Sequence, residues 1–169
     1  MMLIVAITAP AAALIGAGTA AVVNLLGIVA IGFRQDRQRR RELYADALEA
    51  TLAYREFAYA VPRRRFDARP EERVRISEAM REVQRDLARA ESLMRIERGE
   101  DVSSAYSQLV VGTRRIAGGY IREAWRAEPI TEDHEMNVPG GLDFTKIEES
   151  ERAYLAAVRR ELAWYRFWR

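Results

Sequence analysis

The chain has 169 residues, 27 basic side chains against 25 acidic ones, and no cysteine. Lacking cysteine, it has no disulfide, no thiolate zinc site and no cysteine nucleophile, and its length suits one domain or one domain with an anchor. No charge precedes Arg34, so an uncharged head of 33 residues leads a remainder that holds every charge, which argues against a soluble globular protein of one piece.

The head opens MMLIVAITAP and runs without further proline from Ala11 to Phe33. As a helix that stretch is about 35 Å long, enough for a hydrocarbon core of roughly 30 Å. Residues 1–33 therefore read as a transmembrane signal-anchor with one span over about 11–33, the helix able to start earlier with Pro10 in its first turn. A cleaved signal peptide needs a basic leader, and none precedes Leu3. Nothing after Phe33 is long and apolar enough for a second span, so a polytopic protein is excluded.

Arg34, Arg37, Arg39, Arg40 and Arg41 follow the head, against the single acid Asp36. Arginine beside a span stays on the cytoplasmic face, so the expected placement is the cell membrane, single-pass, with the N-terminus outside and the bulk of the chain cytoplasmic. The cluster would lie against anionic headgroups at about 1 kcal/mol per basic residue. It also accounts for the isoelectric point near 9.1, because residues 42–169 hold 22 basic against 24 acidic side chains. General nucleic-acid affinity is not supported by that balance.

Within the span Ala12, Gly16, Ala20 and Asn24 recur every fourth residue. Small side chains let two membrane helices approach, and an amide at that depth favours an interhelical hydrogen bond, so self-association or pairing with another membrane protein is one reading. Ordinary Ala and Gly usage in an apolar helix is the other.

From Arg34 onward no strand-like alternation stands out, and Pro and Gly clusters cut the chain into four helices over about 34–60, 71–98, 102–127 and 144–169. The first carries Leu43, Ala47, Ala50, Tyr54 and Phe57 on one face. In the second, Ile76, Met80, Val83, Leu87, Ala90 and Met94 step alternately by four and three, a coiled-coil-like seam. The third opens after Gly99 with Asp101 or Ser103 as cap and shows a wide apolar face. It contains Gly118-Gly119, which favours close approach of a neighbouring helix. The fourth, capped by Asp143 or Thr145, uses Ile147, Tyr154, Val158, Leu162 and Tyr165. Matched lengths favour an all-α fold: the anchor followed by an antiparallel, up-down-up-down four-helix bundle over 34–169.

That topology returns the C-terminus toward the membrane. Trp164 and Trp168 with neighbouring arginines either touch the headgroup region or complete a bundle face. It sends the loop holding Arg63, Arg64 and Arg65 and the long loop around Glu132, Asp133, His134 and Glu135 to the far end. A loop that long in a compact bundle is usually functional or disordered, and these residues are the candidate partner-binding set. Four adjacent loop residues make a weak metal or acid–base site without a second shell, and no phosphate loop or nucleophile elbow is present, so no catalytic residue, metal or cofactor is expected.

The expected function is a non-catalytic, membrane-anchored interaction or regulatory protein whose partners are the lipid bilayer and another protein, or a second copy through the span, with neither nucleic acid nor small-molecule substrate. Two alternatives follow from the same features. One is a small modulator or inhibitor of another integral membrane protein acting through the span. The other is a membrane-bound hydrolase with a metal in the long loop.

Overall fold

The structure, a computed structural model, describes residues 8–132 and 141–164, with side chains from 31 to 132 and from 141 to 163. Its elements are helices, with no strand among the described residues: α1 Thr8–Ala60, α2 Arg69–Glu97, α3 Glu100–Arg126 and α4 Thr145–Trp164. Two units divide the chain, Met1–Glu42 and Leu43–Arg169.

In the first unit α1 is described from Thr8 onward, and Pro10 lies within it. Among the described residues no helix is long and apolar enough to cross a membrane, so the span expected over 11–33 draws no support from the fold. The side chains of Ala12, Gly16, Ala20 and Asn24 lie outside the described residues. Of the basic cluster, Arg34, Arg39 and Arg41 are exposed and Arg37 and Arg40 half-buried. Arg40 Nε donates to Asp36 Oδ2 at 2.7 Å, one helical turn away.

The second unit is a four-helix bundle whose chain directions follow from paired contacts. At one end of α2 Arg98 lies over the Tyr44 ring, and at the other the Arg65 amide donates to Glu72, so α1 and α2 run in opposite directions. Tyr106 faces Tyr154 with ring centroids 5.4 Å apart, and Tyr120 faces Phe144 at 5.7 Å, so α3 and α4 are antiparallel. Tyr106 also reaches Ala47, and Arg64 reaches Ala124, so α3 runs alongside α1 in the same direction.

The apolar stripes read from the sequence build the core. Ala47, Ala50, Tyr54, Ile76, Leu87, Met94, Leu109, Val110, Ile147 and Val158 are buried, and Leu43, Phe57, Met80, Val83, Ile116 and Leu162 pack partly exposed against them. Two tyrosines at its centre bond α1's backbone. Tyr106 Oη donates to the Ala47 carbonyl and Tyr154 Oη to the Tyr44 carbonyl, each at 3.0 Å. The Thr51 hydroxyl meets the same Ala47 oxygen at 2.9 Å. A buried hydroxyl without a partner costs on the order of 1–3 kcal/mol, so these bonds hold α3 and α4 in register against α1.

Helix boundaries differ from expectation for local reasons. α2 opens two residues early, at Arg69, because Pro70 is accommodated in its first turn, where Glu71 and Glu72 favour the dipole. α3 is not capped by Asp101 or Ser103: Gly99 is its N-cap, no side chain caps it, and Glu100 and Asp101 occupy the first turn. Asp143 does cap α4, its Oδ1 accepting the Thr145 amide at 3.0 Å, a bond that holds the carboxyl below its usual range. α4 is described as far as Trp164. The Trp164 side chain, Tyr165 and Trp168 lie outside the described residues, and with them the choice between membrane interface and bundle face.

Of the glycine pair in α3 only one sits at a close approach. A Cβ on Gly118 would come within 3.3 Å of Tyr54 Oη, whereas one on Gly119 would meet nothing within 4 Å. Gly119→Ala is therefore expected to stabilise the fold by about 0.5–1 kcal/mol, the helix-propensity gain, while Gly118→Ala gains less or loses, as denaturant titration of the two variants will read.

Burial pushes the Tyr106 phenol from its ordinary 10.0 up to about 12, and raises Tyr154 as well, with the neighbouring Tyr106 adding to the effect. The unfolded phenol ionises near 10.0 while the folded one keeps its proton to about 12, so in that interval the unfolded state sheds protons that the folded state holds. Stability is thus complete below pH 10.0 and falls as pH rises toward 12. Urea titrations across that window should show a loss of a few kcal/mol that Tyr106→Phe reduces, since the substituted ring has nothing to titrate.

Candidate functional site

At one end of the bundle the α1–α2 loop and the α3–α4 loop meet. α1 stops at Ala60, and Val61 and Pro62 turn the chain, Val61 fully buried. The Ile130 amide donates to the Pro62 carbonyl at 2.8 Å, tying the two loops through backbone. Arg69 Nη2 and Glu128 form an ion pair at 2.6 Å across them, and the Arg69 guanidinium also covers Phe66 at 4.3 Å. Both partners of that pair are half or more exposed, so it adds little to stability.

Arg64 is what closes this apex. Its Nη1 donates to the carbonyls of Val61 and Ala124, each at 2.9 Å, and its Nη2 donates to the carbonyl of Ala127. Ala124 and Ala127 lie at the end of α3, where helix carbonyls have no amide to accept from, so the guanidinium supplies the missing donors and meets the negative end of the helix dipole. Its Cζ lies over the Trp125 ring, 5.1 Å from the centroid. Burial lowers the Arg64 pKa, Arg69 pushes the same way and Glu128 opposes, yet a guanidinium stays protonated throughout.

The other two arginines of the run behave differently. Arg63 is exposed and lies 5.7 Å over the Tyr59 ring. Arg65 binds Asp67 through Nε and Nη2 at 3.1 and 2.8 Å, a hydrogen-bonded pair that holds both groups in their charged forms. Phe144, just before α4, closes the same end: it stacks edge-on to Tyr59 at 5.9 Å and to Tyr120 at 5.7 Å, with Arg55 over its face.

Of the expected partner-binding residues, Arg64 is the one held by carbonyl oxygens of the fold. It was expected in an open loop and instead lies buried against α3, because α3's terminal carbonyls need donors. Arg63, Arg64, Arg65 and Glu132 border one open hollow of about 410 Å³ that also takes in Phe66 and Thr131. Asp133, His134 and Glu135 lie outside the described residues. Among the described residues no three His, Cys, Asp or Glu side chains are arranged to hold a metal ion. The roles of Trp125 and Arg69 escaped the sequence reading, because each meets a partner about 60 positions away in the chain.

Comparison with protein-family models, with curated protein sequences and with solved structures finds no match.

Removing the clasp leaves helix-end carbonyls uncovered and an indole face bare. Arg64→Ala is expected to cost about 2–3 kcal/mol in a denaturant titration, while Arg65→Ala leaves the midpoint where it was, since its exposed side chain is tied only to Asp67. Equal losses from the two would mean that the arginine run acts as an undifferentiated charged patch.

Proposed function

We propose that this chain is a membrane-anchored, non-catalytic interaction or regulatory protein, its bundle held at the cytoplasmic face by the N-terminal head. The observation that carries the anchor is the charge boundary: 33 uncharged residues, then five arginines against one aspartate over 34–41. An apolar stretch of that length with arginine on one flank favours a single span with its N-terminus outside. The bundle supports an interaction role through what its buried polar groups do. Tyr106, Tyr154 and Arg64 are engaged by backbone carbonyls that join helices, leaving the grooves and loops of the surface as the places where another molecule can be met.

A second reading, modulation of another integral membrane protein through the span, is favoured by Asn24 in register with Ala12, Gly16 and Ala20. The two readings part on where partner capture resides.

Full-length protein is expected to stay with membranes through alkaline carbonate extraction, and residues 34–169 to be released. Crosslinking in membranes followed by identification of co-purified proteins then reads the partner. Capture that survives deletion of residues 1–33 assigns recognition to the bundle, whereas capture lost in Asn24→Leu and untouched by bundle substitutions assigns it to the span. Release of the full-length chain by carbonate would remove the anchor.

A further inference from the structure

Away from the apex, α1 and α2 leave an open groove of about 370 Å³. Its floor is apolar: Ala50, Ala53, Val83 and Ala90, with Leu43 and Leu93 toward one end. Ala50 and Ala90 are buried, but Ala53, Val83, Leu43 and Leu93 are only half covered. Alanine at Ala50, Ala53 and Ala90 is too short to fill the valley between two helices, so apolar surface there stays in contact with water.

The rim carries three carboxylates, Asp46, Glu49 and Asp86, against one guanidinium, Arg89, all exposed. Among the described residues no basic side chain forms an ion pair with Asp46, Glu49 or Asp86. Carboxylates elsewhere do find arginine: Glu72 binds Arg75, Glu91 binds Arg95 and Arg114, and Glu128 binds Arg69. Between Leu43 and Ala60, α1 offers only one cation, Arg55, and it lies over the Phe144 ring at 5.6 Å.

We propose that this groove receives a basic amphipathic helix of a partner protein, its apolar face on the alanine and leucine floor and its arginine or lysine side chains against Asp46, Glu49 and Asp86. Charge complementarity selects the occupant. Nucleic acid and anionic lipid meet net negative charge here and are repelled. A second copy docked groove to groove sets the same carboxylates against each other, as a two-fold interface requires. From Leu43 to Ala53 the groove follows about 15 Å of α1, room for roughly three turns of a bound helix. The inference rests on the reading of the bundle as an interaction module and names the surface through which it acts.

The test uses full-length protein in non-ionic detergent micelles, with empty micelles as blank, and two fluorescent peptides of about 14 residues with leucine at helical spacing. One carries arginine on its polar face, the other glutamate. Fluorescence anisotropy should show saturable binding of the arginine peptide and none of the glutamate peptide. Binding should weaken about tenfold in the Asp46→Lys/Glu49→Lys variant and on raising NaCl from about 50 to about 300 mM. Ala53→Trp, which fills the floor, should weaken it at least as much, while Arg65→Ala leaves it unchanged. Circular dichroism confirms that each variant keeps its helix content; where the double variant does not, Asp86→Lys replaces it.

No binding of the arginine peptide, equal binding of both peptides, or a change within about twofold in a folded rim variant overturns the proposal. So does concentration-dependent self-association that the rim variant abolishes, since that assigns the groove to a second copy. If the peptides fail while crosslinking in membranes still captures a partner, the groove is wrong and the interaction role stands. If no partner is captured and the arginine peptide binds as expected, the recognition chemistry stands without the membrane setting.

Discussion

Two phenolic hydroxyls set the register of this bundle. Tyr106 and Tyr154 are fully buried, and a hydroxyl removed from water must be bonded or its desolvation goes uncompensated. They donate to the backbone carbonyls of Ala47 and Tyr44 on α1. An apolar seam alone tolerates a shift of α3 or α4 along α1 by a helical turn, because alanine and valine faces repeat. A directional bond to one named carbonyl does not. The contact between the Tyr106 and Tyr154 rings then couples the two settings, so that α3 and α4 are placed against each other as well as against α1.

Arg64 does for the loops what the tyrosines do for the helices. The chain is rich in arginine, and several of its exposed guanidiniums lie in short-range pairs of small worth, as Arg65 with Asp67 and Arg75 with Glu72 illustrate. Arg64 differs because its partners are the uncovered carbonyls at the end of α3, which no residue of α3 can satisfy. A planar fork of donors suits that task where a lysine ammonium does not. Once Arg64 is held there, the Ile130 amide and the Pro62 carbonyl are brought together and the apex becomes part of the fold.

What remains on the surface has a consistent electrostatic logic. The chain's excess of positive charge is concentrated over residues 34–41, and the remainder is slightly acidic. Within that remainder the α1–α2 groove combines uncovered apolar surface with carboxylates that have no arginine partner among the described residues. Where a bundle meets its needs internally, by tyrosine hydroxyls and an arginine clasp, unmatched charge beside uncovered apolar surface is the feature that points outward.

Much of the fold was readable from residue spacing. The alternation of four and three through Ile76, Leu87 and Met94 fixes a helix and its buried face, since only a helix brings those positions together. Pro and Gly clusters located the turns, and the charge boundary at Arg34 is a statement about composition that needs no coordinates. The features left undetermined by spacing depend on partners distant in sequence. Gly118 and Gly119 are equivalent in the sequence, and only the approach of Tyr54 separates them. Arg63, Arg64 and Arg65 are likewise indistinguishable until the end of α3 presents carbonyls to one of them. The sequence therefore dictates helices, their apolar faces and the asymmetry of charge, which are local properties. Which tyrosine bonds which carbonyl, which arginine turns inward and which carboxylates stay unpaired are set by packing, because each depends on groups that meet only when the helices do.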